Sequence, residues 1–195
     1  MNFLAHQYLS MNIPAIKAGN LLGEYIKGKK YKNYSKVIQT GVLLHRKIDD
    51  FTDHHEEVLN LVREMNPLFR KYSPVILDVF FDHCLAKNWW KFSDVSLQEF
   101  CNQTYDDLES FSPRMPKKIR KVIYNMRKYN WLYYYQDLEG IQQSLKSLKH
   151  RASFENNIEE AIKYLYTNEE KIEKTFLKFF PDIEKECKIF LEKTC

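Results

Sequence analysis

The stretch VILDVFFDHCLA, Val75 to Ala86, constrains the fold more than any other part of the chain. Wound as a helix it is apolar on nearly every side, and only Asp78, Asp82 and His83 are strongly polar. A helix without a polar face belongs in the middle of a larger assembly, so its neighbours must surround it. Asp78 and Asp82 stack four residues apart, with His83 about 100° further round. Isolated buried charges cost several kcal/mol, so the two carboxylates require protons or a cation. That cation is Arg46, a lysine or a metal ion, and an ion-pair network is the plainer of these readings.

The surrounding elements read as helices too. Aromatic residues make up 15% of the chain, with five Gly and six Pro, which describes helices joined by short loops. No alternation runs far enough for a sheet. Helices are expected near 3–10, 14–27, 34–52, 55–65, 74–90, 96–110, 114–129, 137–149, 155–167, 169–179 and 182–193. Pro67, Pro74, Pro113, Pro116 and Pro181 are expected at helix starts or in the turns before them. A chain of 195 residues buries a sizeable core, and the expectation is one all-α domain over 1–195, a bundle of about 8 to 11 helices.

A second stretch, HRKIDDFTDHH at 45–55, concentrates histidine and aspartate. His45, Asp49 and Asp53 recur every four residues and share a helix face. They border an apolar stripe of Val37, Gly41, Leu44, Ile48 and Phe51, where a helix turns into the core. For Asp53 the alternative is a helix break, with Asp53 or Thr52 capping the next helix. If this helix packs on 75–86, His45, Asp49, Asp82 and His83 bring together two imidazoles and two carboxylates. That donor set suits manganese, iron, zinc or magnesium better than a thiolate-preferring ion.

Other chemistries find no support. GEYIKGKK at 23–30 imitates phosphate-loop spacing, but Lys30 stands where the magnesium-binding hydroxyl belongs and no strand precedes it. HExxH and Gly-x-Ser-x-Gly are both missing, and so is the Glu-x-x-His of di-iron bundles. The opening MNFLAHQYLS lacks a signal-peptide layout, and no apolar run reaches the roughly 18 residues a membrane span needs. Cys84, Cys101, Cys187 and Cys195 have no CxxC spacing and read as reduced thiols of a cytoplasmic protein.

The net charge is +4, and PRMPKKIRKVIYNMRK at 113–128 holds seven Lys or Arg and no acid. Ile119, Val122, Ile123 and Met126 follow helical spacing, leaving Lys117, Lys118, Arg120 and Lys121 outside. Such a helix meets nucleic acid, anionic lipid or an acidic protein, or is simply a solvated face. YNWLYYY at 129–135 reads as packing between helices, with base stacking or the lining of a substrate route as alternatives.

MNFLAH at the start, GNLLGEYIKG at 19–28, GVLLHRKIDDFTDHH at 41–55 and LDVFFDHCLAKNW at 77–89 resemble, in order and spacing, the acyl carrier protein phosphodiesterases. The resemblance is densest over the first 90 residues, with FFP at 179–181 a later match. It implies a helical core like that of the HD-type metal phosphohydrolases, although their His-Asp dipeptide is missing. The implied activity is hydrolytic removal of 4′-phosphopantetheine from holo acyl carrier protein, with a divalent metal, manganese first and magnesium, iron or zinc as alternatives. Transferred residue by residue, the metal would fall to Glu24, His45, Asp49, Asp82 and His83. Asp53 or Asp78 would handle the water, Arg46 the phosphate charge, and His6 would be a ligand or the acid for the leaving serine oxygen. Glu24 stands where the family usually has Asp, and Asn88 where it has His. The resemblance selects an acidic carrier protein, not nucleic acid, for Lys117, Lys118, Arg120 and Lys121. Two other readings stand beside it: a phosphohydrolase of the same fold acting on a nucleotide or other small phosphate ester, and a non-catalytic helical binding protein.

Overall fold

The computed structural model describes residues 1–152 and 156–194. Among them stand nine α-helices and no strand: α1 (Phe3–Tyr8), α2 (Pro14–Gly23), α3 (Lys36–His54), α4 (Glu56–Phe69), α5 (Ser73–Lys87), α6 (Leu97–Phe111), α7 (Lys117–Lys128), α8 (Leu138–Arg151) and α9 (Ala161–Thr194). The all-α expectation is met.

As its sequence requires, α5 is the central helix. It packs against α1, α4, α8 and α9 and the short 3-10 turn Tyr133–Gln136. Phe80 and Phe81 are fully buried, each contributing about 2–3 kcal/mol of hydrophobic stabilisation. Phe81 stacks on Phe179 of α9, with centroids 5.5 Å apart. Cys84, Cys101 and Cys187 are buried free thiols; Cys195 lies outside the described residues. No helix among the described residues is long and apolar enough to cross a membrane.

The α2–α3 crossing places the site. A Cβ on Gly19 would stand 2.3 Å from the Ile38 carbonyl oxygen, and one on Gly41 2.5 Å from that of Ile16. Only paired glycines permit this approach, and it lays the polar residues of α3 directly beside α2. The α3 residues that turn inward include Ile38, Gly41, Val42, Leu44, His45 and Ile48, so Gly41, Leu44 and Ile48 of the expected stripe are buried, while Val37 is exposed. The helix runs unbroken through Asp53, and His55, not Asp53 or Thr52, takes the N-cap position of α4.

Three expectations about proline and helix ends need correction. Pro67 lies inside α4 and Pro181 inside α9. The helices expected at 169–179 and 182–193 are one, joined also to residues 161–167, with only Asn168 departing from helical angles. Phe176, Phe179, Phe180, Ile183, Cys187 and Leu191 form one buried stripe through Pro181, and its burial outweighs the roughly 3 kcal/mol that an interior proline costs. Residue 155, the expected start of a helix, is outside the described residues. Helix α2 ends at Gly23 instead of near 27, so the residues after it form turns and the 3-10 segment Lys30–Asn33.

Candidate active site

Four elements meet at the α2–α3 crossing, and the side chain that organises them is Asn20. Its Nδ2 donates to the His6 carbonyl at 2.9 Å and the Ser10 hydroxyl at 3.1 Å, which fixes Oδ1 as an acceptor. Two imidazoles share that oxygen: His6 Nδ1 at 2.9 Å and His45 Nδ1 at 3.1 Å. Both rings therefore carry a proton on Nδ1, and both Nε2 atoms point the other way. The rings lie 4.4 Å apart.

Asp49 receives both Nε2 atoms, His6 on Oδ1 at 3.2 Å and His45 on Oδ2 at 3.3 Å. Glu24, just past the end of α2, brings Oε2 to 3.8 Å from His45 Nε2. Burial, assisted by the His6 charge, holds His45 far below its ordinary value, at about 3, so at neutral pH its Nε2 is a bare lone pair facing carboxylate oxygens. Burial works upward on Asp49, but the hydrogen bond and charge of His6, followed by His45, outweigh it and keep the carboxyl below its usual range. Burial and then the Asp49 charge raise Glu24, against the opposing pull of His6 and Arg151. The cluster faces a small cleft lined by Met1, Phe3, His6, Asn20, Glu24 and His45.

This arrangement fits a divalent cation. Metal bonds of about 2.1 Å place neighbouring donors about 3.0–3.4 Å apart in octahedral or tetrahedral geometry, close to the observed 3.2 and 3.3 Å. Unprotonated nitrogen aimed at carboxylate is favourable only with a cation or proton between them, and the Asn20 oxygen supplies the orienting outer contact that metal-binding imidazoles use. Among the described residues no three His, Cys, Asp or Glu side chains form a ready-made coordination shell; here the donors pair with one another.

The other residues singled out in the sequence make their own contacts elsewhere, although the Asp78 charge is felt at Glu24 and the His6 charge at Asp82. Asp82 is fully buried and spends both oxygens on backbone N–H groups, Asn2 at 3.1 Å and Ala5 at 3.2 Å on Oδ1 and Leu4 at 2.7 Å on Oδ2. It thus caps α1 from another helix, satisfying first-turn donors that no carbonyl reaches. His83 Nδ1 bonds the Tyr135 carbonyl at 2.6 Å, and its Nε2 is buried with no hydrogen-bond partner among the described residues. The five-residue ligand set thus divides: Glu24, His45 and Asp49 stand together with His6, while Asp82 grips α1 and His83 faces the 133–136 turn. Asp78 binds the amino group of Met1 at 2.6 Å. Asp53 is exposed on the surface of α3, where partial desolvation of its carboxyl and then the Asp78 charge raise its pKa. Arg46 donates to the carbonyls of Gly28 at 2.7 Å and Ile26 at 3.3 Å and lies over the Tyr31 ring, so it clamps a loop instead of facing the cleft.

Two participants had no reading in the sequence. Asn20 is a buried amide on a largely apolar helix, whose other buried polar side chain, Lys17, is paired with Asp107. Arg151, at the end of α8, stands near enough to Glu24 and Tyr25 to draw both pKa values down against burial; its distance along the chain hides it. The basic residues Lys117, Lys118, Arg120 and Lys121 are exposed as expected, and Lys118 reaches over the Tyr25 ring at 5.2 Å, next to Glu24. In the aromatic stretch Trp131 tilts against Phe3 at the cleft and Tyr135 is buried, which is packing between helices.

Gly23 is where the site depends on a missing side chain, since a Cβ there would stand 2.6 Å from His45 Cβ and Cγ. Gly23→Ala should push the imidazole off the Asn20 oxygen and cost about 1–3 kcal/mol of stability through overpacking. A thermal melt beside the His45 ring signals in NMR will check this; unchanged melting and unchanged ring signals would show that the ring has room to move.

A family model described as acyl carrier protein phosphodiesterase matches residues 1–183. Curated relatives carry the same description. A protein of Klebsiella pneumoniae (strain 342) is 29% identical over 184 residues, covering 94% of this chain and 95% of its own. One from Enterobacter sp. (strain 638) is 28% identical over 182 residues, covering 93% and 94%. One from Photorhabdus laumondii is 31% identical over 152 residues, 77% of each chain. No solved structure matches.

Proposed function

The chain belongs to the acyl carrier protein phosphodiesterase family, and from that membership we propose that it hydrolyses the phosphodiester joining 4′-phosphopantetheine to its serine in holo acyl carrier protein, releasing the apo protein. The observation that carries the reading is the convergence of two Nδ1-protonated imidazoles on Asp49, with Glu24 alongside. We assign His6, Glu24, His45 and Asp49 to a divalent metal, manganese first. A bound ion of this kind polarises a phosphoryl oxygen and lowers the pKa of a water toward neutrality.

The chain's own residues supply the rest. Asn20 takes the Nδ1–H of both imidazoles, so each ring presents Nε2 to Asp49 and the cleft. Glu24 closes the donor set on the side of the cleft mouth. Arg151 and Lys118 set positive charge at the mouth, where a phosphodiester anion would enter. Asp82 and His83 serve by position: the first holds the helix that carries His6, the second ties α5 to the 133–136 turn. The HD-type relationship is part of the same proposal, resting on the helical architecture and the histidine and aspartate donors of α3.

The test is intact-protein mass spectrometry of holo acyl carrier protein after incubation with the purified enzyme, with manganese or with EDTA. Conversion to the apo form in manganese, suppressed by EDTA, is the expected result. Holo protein left intact while the enzyme retains metal would favour a small phosphate ester as substrate.

A further inference from the structure

The segment after Glu24 is basic, exposed and held in place. No Asp or Glu occurs between Tyr25 and Ile48, and Lys27, Lys29, Lys30 and Lys32 are all exposed. Several lysines elsewhere are neutralised by a neighbouring carboxylate, Lys47 by Glu186, Lys149 by Glu159 and Lys178 by Glu57 among them. The four loop lysines have no such ion pair among the described residues.

A charged loop without an anchor would sample many conformations, yet this one is pinned from below. Arg46 takes the carbonyls of Ile26 and Gly28, and Gln39 takes those of Tyr34 at 2.8 Å and Lys32 at 3.3 Å. Tyr25, Ile26, Tyr31 and Tyr34 pack against the core. Four apolar anchors and two side-chain clamps hold a backbone that has little regular structure of its own, while the lysines between them face solvent. Fixing the backbone in advance reduces the entropy a partner must overcome on docking. The loop also adjoins the basic helix, since Lys118 of α7 lies on Tyr25, and Tyr25 follows Glu24 directly.

We propose that the 25–36 loop is the seat for the acidic carrier protein, with the first turn of α7 as its flank, so that docking there brings the prosthetic group to the Glu24 edge of the cleft. This rests on the activity proposed above. Charge complementarity names the occupant: a rigid array of uncompensated lysines fits an acidic protein surface, and attraction of this kind acts over about 8 Å at physiological salt. The Gly and Lys spacing of GEYIKGKK, without meaning as a phosphate loop, acquires one as a platform.

The experiment compares the wild type with a variant carrying Lys27→Glu, Lys29→Glu, Lys30→Glu and Lys32→Glu, on holo acyl carrier protein and on bis(p-nitrophenyl) phosphate, both in manganese. A Lys29→Glu, Lys30→Glu variant provides a milder change, and thermal melts establish that each folds. The expected result is a KM for carrier protein raised about tenfold or more, kcat within twofold, a weaker salt dependence of kcat/KM, and unchanged small-ester hydrolysis. An unchanged KM for carrier protein overturns the seat and leaves the activity standing. Equal loss on both substrates also overturns it, by showing that the loop acts on the cleft itself. A wild type that leaves holo protein intact overturns the activity and the seat together.

Discussion

Alanine at Asp49 is expected to cut turnover of holo acyl carrier protein about a thousandfold while leaving the fold in place. Both imidazole Nε2 atoms converge on this one carboxylate, so its removal takes one proposed ligand and the partner of two others at once. The side chain is 47% exposed, and its loss also relieves repulsion with Glu24, which Asp49 helps to raise. The melting temperature should therefore stay within a few degrees of the wild type. Manganese content by elemental analysis separates the causes: the variant should lose bound metal along with activity. Retained turnover would remove Asp49 from the site.

The second large effect is on stability. Asp82→Ala should cost at least about 3 kcal/mol, because three backbone N–H groups at the start of α1 lose their acceptor in a dry interior. For a chain of this size that is roughly 10 °C in Tm. Asparagine will not rescue it, since an amide offers one acceptor oxygen and turns an N–H₂ toward donors. The pH dependence tests the same residue. Burial leads, against the Met1 amino group and the backbone donors, in pushing the Asp82 carboxyl up to about 7. Between about pH 4, where an unfolded aspartate titrates, and about pH 7 the folded protein holds a proton that the unfolded chain has released. The stability this group contributes is complete below that window and lost as pH rises through it. Urea denaturation at pH 5 and pH 8 should show this difference in the wild type and lose that component in Asp82→Ala; equal differences in both would place the titration elsewhere.

What could be read in advance follows from how local each signal is. Helix α5 was legible because apolarity on every side is a property of twelve consecutive letters, and His45 with Asp49 because a four-residue repeat is a local geometric fact. The glycine pair at 19 and 41 carries no periodicity, and its meaning lies only in the distance between two helices. His6 and Asn20 meet His45 through that crossing, so no window of sequence contains them together. Asp82 showed the limit from the other side: burial of a carboxylate was foreseeable, but not that backbone amides would occupy both its oxygens. Pro181 failed as a boundary because packing along the α9 stripe outweighs a local propensity.

The grip of Asp82 on α1 also bears on the order in which the proposed site comes into being. His6 is synthesised well before the anchor of its helix, which lies in α5 some 80 positions later. Phe81, beside that anchor, in turn waits for Phe176 and Phe179 of α9 to cover it. Nascent chains shorter than α9 will thus contain every proposed metal donor and still lack the interior that holds them in register. Emergence of activity along a series of stalled chain lengths should be abrupt and late.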